Sequence, residues 1–293
     1  MTTSASEVEI VDVGPRVVFR SAAVPPPTSA TISIISALYI AGLRRMETYS
    51  FINTSELPQF ADARDIVTAT AALPGLDAQI LVASVDRAEE ALVAGARHLS
   101  AIISVSERHS IINSRRSLQE SADDFARIVA MLPPNARMRL NIATAFDCPY
   151  DGVVAREAAL SLLEKLVATT SDVEIAFCDT TGRADPVQIR KLFNSARGYF
   201  PEVRKWAFRG HDAYGLGATN ILAAWHAGVR VFDASIARLG ACPFSPGATG
   251  NVATEDLVGV FDKMGVTSYI DLEVLIGVAR KVAELTEPRI GEI

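Results

Sequence analysis

The chain alternates between two hydrophobic periods from end to end. Short β-branched runs recur at Glu9–Gly14, Arg45–Phe51, Gln79–Val85, Leu99–Val105, Met138–Thr144, Val173–Cys178, Lys205–Phe208 and Arg230–Ser235. Several are nearly all apolar, the pattern of strands buried on both faces of a parallel sheet. Between them, apolar positions fall at helical spacing over Ile32–Ala41, Ser117–Met131, Val154–Ala168, Val187–Ala196 and Leu216–Ala227, with further helices at Thr254–Met264 and Asp271–Leu285. Ser117-Leu-Gln-Glu120 has the spacing of a capping box, and Asp185-Pro186 sets a capping Asp before a Pro at the first helical position. Eight strands alternating with helices, without a long linker or a shift in composition, predict an α/β fold. It is a single (β/α)8 TIM-barrel domain over residues 1–293 with a C-terminal helical extension and a Gly-rich lid loop after the eighth strand. A doubly wound open sheet would need a glycine fingerprint after the first strand, and Gly14-Pro15-Arg16-Val17 is not one. Pro25-Pro26-Pro27 reads as a stiff extended linker between the first strand and the first helix.

Composition narrows the partners. A formal net charge of −6 argues against a nucleic-acid or anionic-membrane partner, since both need a basic face. With 49% hydrophobic and 21% charged residues among 293, the chain has the makeup of a soluble globular protein. No apolar run reaches the roughly 18 residues of a membrane span, and the first ten residues lack the basic and apolar regions of a secretory signal. Cys148, Cys178 and Cys242 are too few and too odd in number for a disulfide framework, so a reducing, cytoplasmic compartment is expected.

In a barrel, chemistry is carried at the C-terminal ends of the strands. That rule selects Arg16 after strand one, Glu47 in strand two, Ser106 and Glu107 at the end of strand four, and Asp179 at the end of strand six. It also selects Arg209, His211 and Asp212 at the end of strand seven, and Cys242 and Asn251 after strand eight. Each has a plainer reading: Asp179 before Thr-Thr-Gly can be a turn former, and His211 beside Asp212 can be a structural pair. His98 and His226 read as structural, His109 as lying on a loop surface, and Cys148 and Cys178 as small buried side chains. Cys242 is followed by Pro within a segment holding Gly240, Gly247 and Gly250, which suits a mobile lid over a site.

Together these pieces resemble the 3-hydroxy-3-methylglutaryl-CoA lyase family. The matching segments are Val8-Glu-Ile-Val-Asp-Val-Gly-Pro-Arg16, Met46-Glu-Thr-Tyr-Ser-Phe51, Ser104-Val-Ser-Glu107, Cys148-Pro-Tyr-Asp-Gly152, Asp179-Thr-Thr-Gly182, His211-Asp-Ala-Tyr-Gly215, and Gly240-Ala-Cys-Pro-Phe through Gly-Asn-Val-Ala-Thr-Glu-Asp256. The resemblance implies a barrel that performs retro-Claisen cleavage of a 3-hydroxyacyl-CoA with a Mg²⁺ or Mn²⁺ ion as Lewis acid. It implies ligands from an Asp after the strand-one Arg, a His-x-His in strand seven and an Asn in the last loop, and a homo-oligomer.

This chain departs from that pattern at two ligands. The Asp position is Val17, and the first His of His-x-His is Arg209, so only His211 and Asn251 remain. Two neutral ligands beside a fixed guanidinium make a poor hard-cation site, so no cofactor is expected, with weak Mg²⁺ or Mn²⁺ binding as what the resemblance alone would allow. In one reading Arg209 replaces the cation. Arg16 then neutralises the enolate oxygen, Glu47 orients Arg16 or the substrate, Asp179 or His211 is the base, and Cys242 handles the proton returned to carbon. In the other, the protein is a non-catalytic acyl-CoA or small-acid binder, or runs a different enolate reaction on the same barrel. The segment Val17–Val24 reads as an apolar first βα loop suited to a hydrophobic acyl group. Arg20, Arg115 and Arg116 are expected to contact phosphates or a carboxylate, and Ser106, Glu107 and Asn251 to line the substrate.

Overall fold

The computed structural model describes residues 7–21, 27–52, 60–168, 172–240 and 250–286. Eight parallel strands close into a barrel: β1 (Glu9–Asp12), β2 (Arg45–Phe51), β3 (Asp77–Val82), β4 (His98–Ser104), β5 (Arg137–Ala143), β8 (Glu174–Cys178), β9 (Trp206–Arg209) and β10 (Val231–Ala234). Around the circle the order is β1-β10-β9-β8-β5-β4-β3-β2. A two-stranded hairpin, β6 (Asp147–Cys148) with β7 (Gly152–Val153), decorates the end of β5. The first helices are α1 (Gly14–Ser21), α2 (Thr28–Ile40), α3 (Ala63–Ala71) and α4 (Val85–Val93). They are followed by α5 (Glu107–Ser114), α6 (Leu118–Met131), α7 (Arg156–Val167), α8 (Pro186–Tyr199), α9 (Gly217–His226), α10 (Thr254–Lys263) and the C-terminal α11 (Leu272–Thr286). The expected caps form: Ser117 and Glu120 close a capping box on α6, and Asp185 accepts from Val187 and Gln188 at the start of α8.

The first turn of the barrel corrects the sequence reading. Helix α1 comes directly after β1. The proline run therefore follows a helix, and Val17–Ser21 is helical. Gly14-Pro15 carries the start signal, since Pro is favoured in the first helical turn, but the β-branched Val17-Val18 that follows masked it.

Two apolar clusters separate the two faces of the sheet. The large one fills the space between strands and helices, with Phe177, Phe193, Trp206 and Phe208 packed ring to ring under α8. The other holds only Val11, Ala176, Ala207 and Val231, from the neighbouring strands β1, β8, β9 and β10. These small side chains leave room inside the barrel, where bulky branched residues ordinarily stack in layers. Long charged side chains fill it. Arg139 is fully buried, and Arg45, Glu47, Glu174 and Asp233 are buried with it.

Candidate active site

The interior charges form one alternating chain that runs from the C-terminal mouth of the barrel to its base. Arg16, on α1, places Nε 3.1 Å from Glu47 Oε1. Arg209, the last residue of β9, reaches across the barrel and donates Nη2 to Glu47 Oε2 at 2.5 Å, while its Nε donates to Asp233 Oδ2 at 2.6 Å. The second bond is local: Asp233 and Arg209 are register partners on adjacent strands. Arg139 then donates Nη2 to Asp233 Oδ1 at 2.7 Å and Nε to Asn141 Oδ1 at 3.1 Å, with Nη1 3.4 Å from Glu174 Oε1. Arg45 grips both oxygens of Glu174 at 2.6 and 2.9 Å and lies 3.4 Å from Asp77, which also pairs with His98 Nδ1 at 2.8 Å. From Arg16 to Asp77 the links between ionic side chains join opposite charges, which is the condition for keeping ions inside a protein, while Asn141 and His98 add polar support at the side.

The electrostatics follow from that geometry. Burial would push the Glu47 carboxyl up, but the cations Arg16, Arg209 and Arg139 outweigh it and bring its pKa down to about 2. Burial alone would lower Arg209; Glu47 and Asp233 hold it well above its ordinary value. Both groups are therefore ionised throughout the neutral range.

His211 follows β9 at the same end. Its Nδ1 donates to the Asp179 carbonyl at 2.8 Å, which fixes the neutral tautomer with Nε2 as acceptor. Burial, followed by the Arg209 charge, lowers its pKa to about 4. Asn251 bridges to the His211 backbone, and its Nδ2 donates to Leu239 O at 2.9 Å. A Cβ placed on Gly240 (φ +93°) would stand 2.6 Å from Asn251 Nδ2 and 3.2 Å from Val17 Cγ2, so Val17 and Asn251 flank one point of the mouth. The side chains around that point are an isopropyl group, an amide and a neutral imidazole, with the Arg209 cation nearby. Such a set offers a hard divalent cation no carboxylate and a repelling charge, so the residues do not fit the metal that the family resemblance implies. Among the described residues, no three His, Cys, Asp or Glu side chains are grouped as metal ligands.

Asp179 is fully buried, and its carboxyl accepts the Ala184 backbone N–H at 3.3 and 3.4 Å. Burial lifts its pKa to about 7 against those bonds. Its side chain thus serves its own turn, while its carbonyl holds His211. Asp212 accepts from Gly217 N–H and pairs with Arg238, whose other partner is Asp256 on α10. Ala237 and Arg238 both take left-handed backbone (φ 53° and 57°), a cost on the order of 1–2 kcal/mol each that the two ion pairs help to offset.

The remaining candidates are placed less centrally. Ser106 caps α5 and donates to Asp151 at 2.5 Å, and Glu107 accepts the Leu118 N–H at the start of α6; their bonds do not run to Arg16, Glu47 or Arg209. Arg116 pairs with Asp124 on α6, and Arg115 is the left-handed C-cap of α5, its backbone N–H donating to Ile111 O. His109 lies in α5 and is buried, against the expectation of an exposed loop. Cys242 lies outside the described residues, as does the side chain of Arg20. Cys178 is buried and its thiol is pushed up to about 12, consistent with an inert packing residue.

Sequence reasoning missed Asp233, Arg139, Glu174 and Arg45, and also Asp12. Asp12 is fully buried, accepts from Gly14 N–H, Ile236 N–H and the Thr254 hydroxyl, and so ties β1 to the turn after β10 and to α10. Part of the signal for the lumen charges was present as polar residues at period two inside apolar strands, in Arg45-Met-Glu47 and Arg137-Met-Arg139-Leu-Asn141, whereas Glu174 and Asp233 stand as single ions in theirs.

A closed parallel barrel with its polar groups converging at the strands' C-terminal ends defines the class: a (β/α)8-barrel protein with the site architecture of an enzyme. The chain belongs to the HMGL-like family, whose model matches residues 7–282. It is similar to mitochondrial hydroxymethylglutaryl-CoA lyase of Mus musculus, at 34% identity over 94% of this chain and 85% of that protein. It is also similar to (R)-citramalyl-CoA lyase of Chloroflexus aurantiacus, at 33% identity over 92% and 88%. Among solved structures, an HMG-CoA lyase from Acinetobacter baumannii in complex with coenzyme A and 3-methylmalate superposes with a TM-score of 0.90 at 32% identity, covering 98% of this chain and 93% of that one.

Proposed function

We propose that this chain is a carbon–carbon lyase that cleaves a 3-hydroxyacyl-CoA, with the Arg209 guanidinium standing where the family's cation acts. The observation that carries the reading is Arg209 itself: a buried cation fixed by Glu47 and Asp233, beside Arg16 and a neutral His211, at the mouth of a barrel whose relatives are lyases of CoA thioesters. In the reaction the substrate hydroxyl loses its proton to His211 Nε2, the acceptor left by the Nδ1 bond to Asp179. The alkoxide collapses to a carbonyl as the adjacent C–C bond breaks, and its electron pair passes to the thioester as an enolate. Arg16 and Arg209 offset the negative charge that develops. A proton then returns to the enolate carbon, a role assigned to Cys242 on sequence alone. The isopropyl group of Val17 in the ligand position suits a reaction without a metal, and a branched 3-hydroxy dicarboxylic thioester is the substrate class that the relatives' names support.

The test is thioester cleavage of 3-hydroxy-3-methylglutaryl-CoA, citramalyl-CoA and longer 3-hydroxyacyl analogues, each with and without EDTA. Acetyl-CoA release that survives EDTA supports the reading. EDTA-sensitive release refutes the cation replacement, and binding without cleavage across the panel favours an acyl-CoA binding protein.

A further inference from the structure

Arg209 is not a free side chain that waits for substrate. Its Nε and Nη2 are committed to two different carboxylates, from Asp233 beside it on β10 and Glu47 across the barrel on β2. Both carboxylates are fully buried, and each has a second guanidinium of its own: Arg139 for Asp233 and Arg16 for Glu47. Neither of the two bonds uses Nη1.

We propose that Asp233 is the positioning residue of Arg209, and that Asp233 and Glu47 together form a guanidinium socket at the barrel mouth, with Arg139 anchoring Asp233 from below. The inference rests on the functional reading above and extends it to a residue that touches no substrate. A guanidinium is planar, with donors in a fixed fork. Fixing Nε on one carboxylate and Nη2 on another sets the plane of the group and therefore the direction of Nη1. A single partner would leave the plane free to rotate about the bond to Glu47. Arg139 holds the Asp233 carboxylate in place, and it is in turn held by Asn141 and Glu174, so the socket is braced down to the base of the barrel. An ammonium could not reproduce this, since it is a compact charge without a plane.

The experiment uses the full chain with Arg209→Ala, in which the socket is vacated. Millimolar guanidinium or methylguanidinium is added against an equal concentration of tetramethylammonium. Filling the socket should raise the melting temperature of Arg209→Ala by about 2–4 °C at roughly ten times the dissociation constant, and tetramethylammonium should not. Adding Asp233→Asn to the same variant should abolish the rise. A rise that persists in the double variant overturns the proposal, and so does no rise in Arg209→Ala. Should Arg209→Ala fail to fold, the Arg209 Nε–H resonance of the wild-type protein, assigned by its loss in Arg209→Lys, gives an independent reading. It should exchange slowly in the wild type and at least tenfold faster in Asp233→Asn; equal exchange overturns the proposal. Turnover separates this inference from the functional one. Asp233→Asn should lower kcat by about ten- to a hundredfold with KM little changed. If the wild type cleaves thioester and Asp233→Asn does so with unchanged kcat, the positioning role fails while the lyase reading stands. If guanidinium fills the socket as described but no variant cleaves any thioester, the lyase reading fails while the socket stands.

Discussion

Glu47 joins the two mouth guanidiniums, and its removal tests the charge chain directly. Glu47→Gln keeps the side chain's size and deletes one fully buried anion, leaving Arg16 and Arg209 without their shared partner. Breaking a buried pair by removing one member costs about 3–5 kcal/mol. The proton linkage gives a second figure. The pKa of Glu47 falls from 4.5 to about 2 on folding, and each unit corresponds to about 1.4 kcal/mol, so the ionised form contributes on the order of 3 kcal/mol. The sign is that of a depressed carboxyl: the contribution is fully present above pH 4.5 and is lost as pH falls toward 2. At about pH 3.5, roughly one unit below the unfolded value, about 1 kcal/mol of it is gone. The assay is urea unfolding of wild type and Glu47→Gln at about pH 7, 4.5 and 3.5. Glu47→Gln should be about 3–5 kcal/mol less stable at neutral pH, and the gap should narrow by about 1 kcal/mol at the most acidic point. A gap under about 1 kcal/mol at neutral pH, or one that does not narrow in acid, refutes the reasoning that Glu47 is an ionised keystone.

Two further outcomes follow from the site. Val17→Asp together with Arg209→His should create Mn²⁺ binding detectable by calorimetry or electron paramagnetic resonance where the wild type shows none; no binding would mean that residues 17, 209, 211 and 251 do not surround one point. In a Cys242→Ala variant, Cys148 and Cys178 are the remaining thiols and both are buried, so Ellman's reagent should react with neither until denaturant is added. Rapid native reaction would contradict their burial.

The strand pattern in the sequence was enough for the barrel, because β-branched runs and helical spacing both reflect burial of the outer face of the sheet against helices. The rule that a barrel exposes polar groups at its strand ends also pointed to Arg16, Glu47, Arg209, His211 and Asn251, where the structure joins Arg16 and Arg209 through Glu47 and sets Asn251 beside His211. The inner face was harder to read. Arg45, Arg139, Glu174 and Asp233 each sit in or at the end of an apolar run, and a lone ion there looks like a strand boundary. Their meaning comes from partners 24 to 129 positions away, which only barrel closure brings together. The expected use of Arg209 is affected for the same reason. The sequence presents its guanidinium as a fork for substrate, and without Asp233 in view nothing indicates that Nε is already taken. Helix α1 was missed through a local conflict: Val17–Val24 reads as an apolar loop, with β-branched Val17-Val18 weak helix formers, and the Gly14-Pro15 start signal prevailed.

The substitutions at positions 17 and 209 make electrostatic sense only as a pair. In the ligand set implied by the family resemblance, an Asp and a neutral His hold a dication, so this corner of the mouth carries a net single positive charge. Here Val17 is neutral and Arg209 is a monocation, for the same total. Either change alone would break the balance. An aspartate in place of Val17 beside Arg209 would leave the corner neutral, and Val17 with a His-bound dication would leave it doubly positive. Below that corner the interior sets Arg16, Arg139 and Arg45 against Glu47, Asp233, Glu174 and Asp77, a net single negative charge that the corner's positive charge balances. A buried chain of this kind tolerates little uncompensated charge. In the reaction proposed above, a covalently attached guanidinium would keep the positive charge available to a developing enolate without recruiting an ion from solution. What it gives up is the cation's ability to accept oxygen ligands from several directions, and the remaining direction, Arg209 Nη1, is set by Asp233 and Glu47.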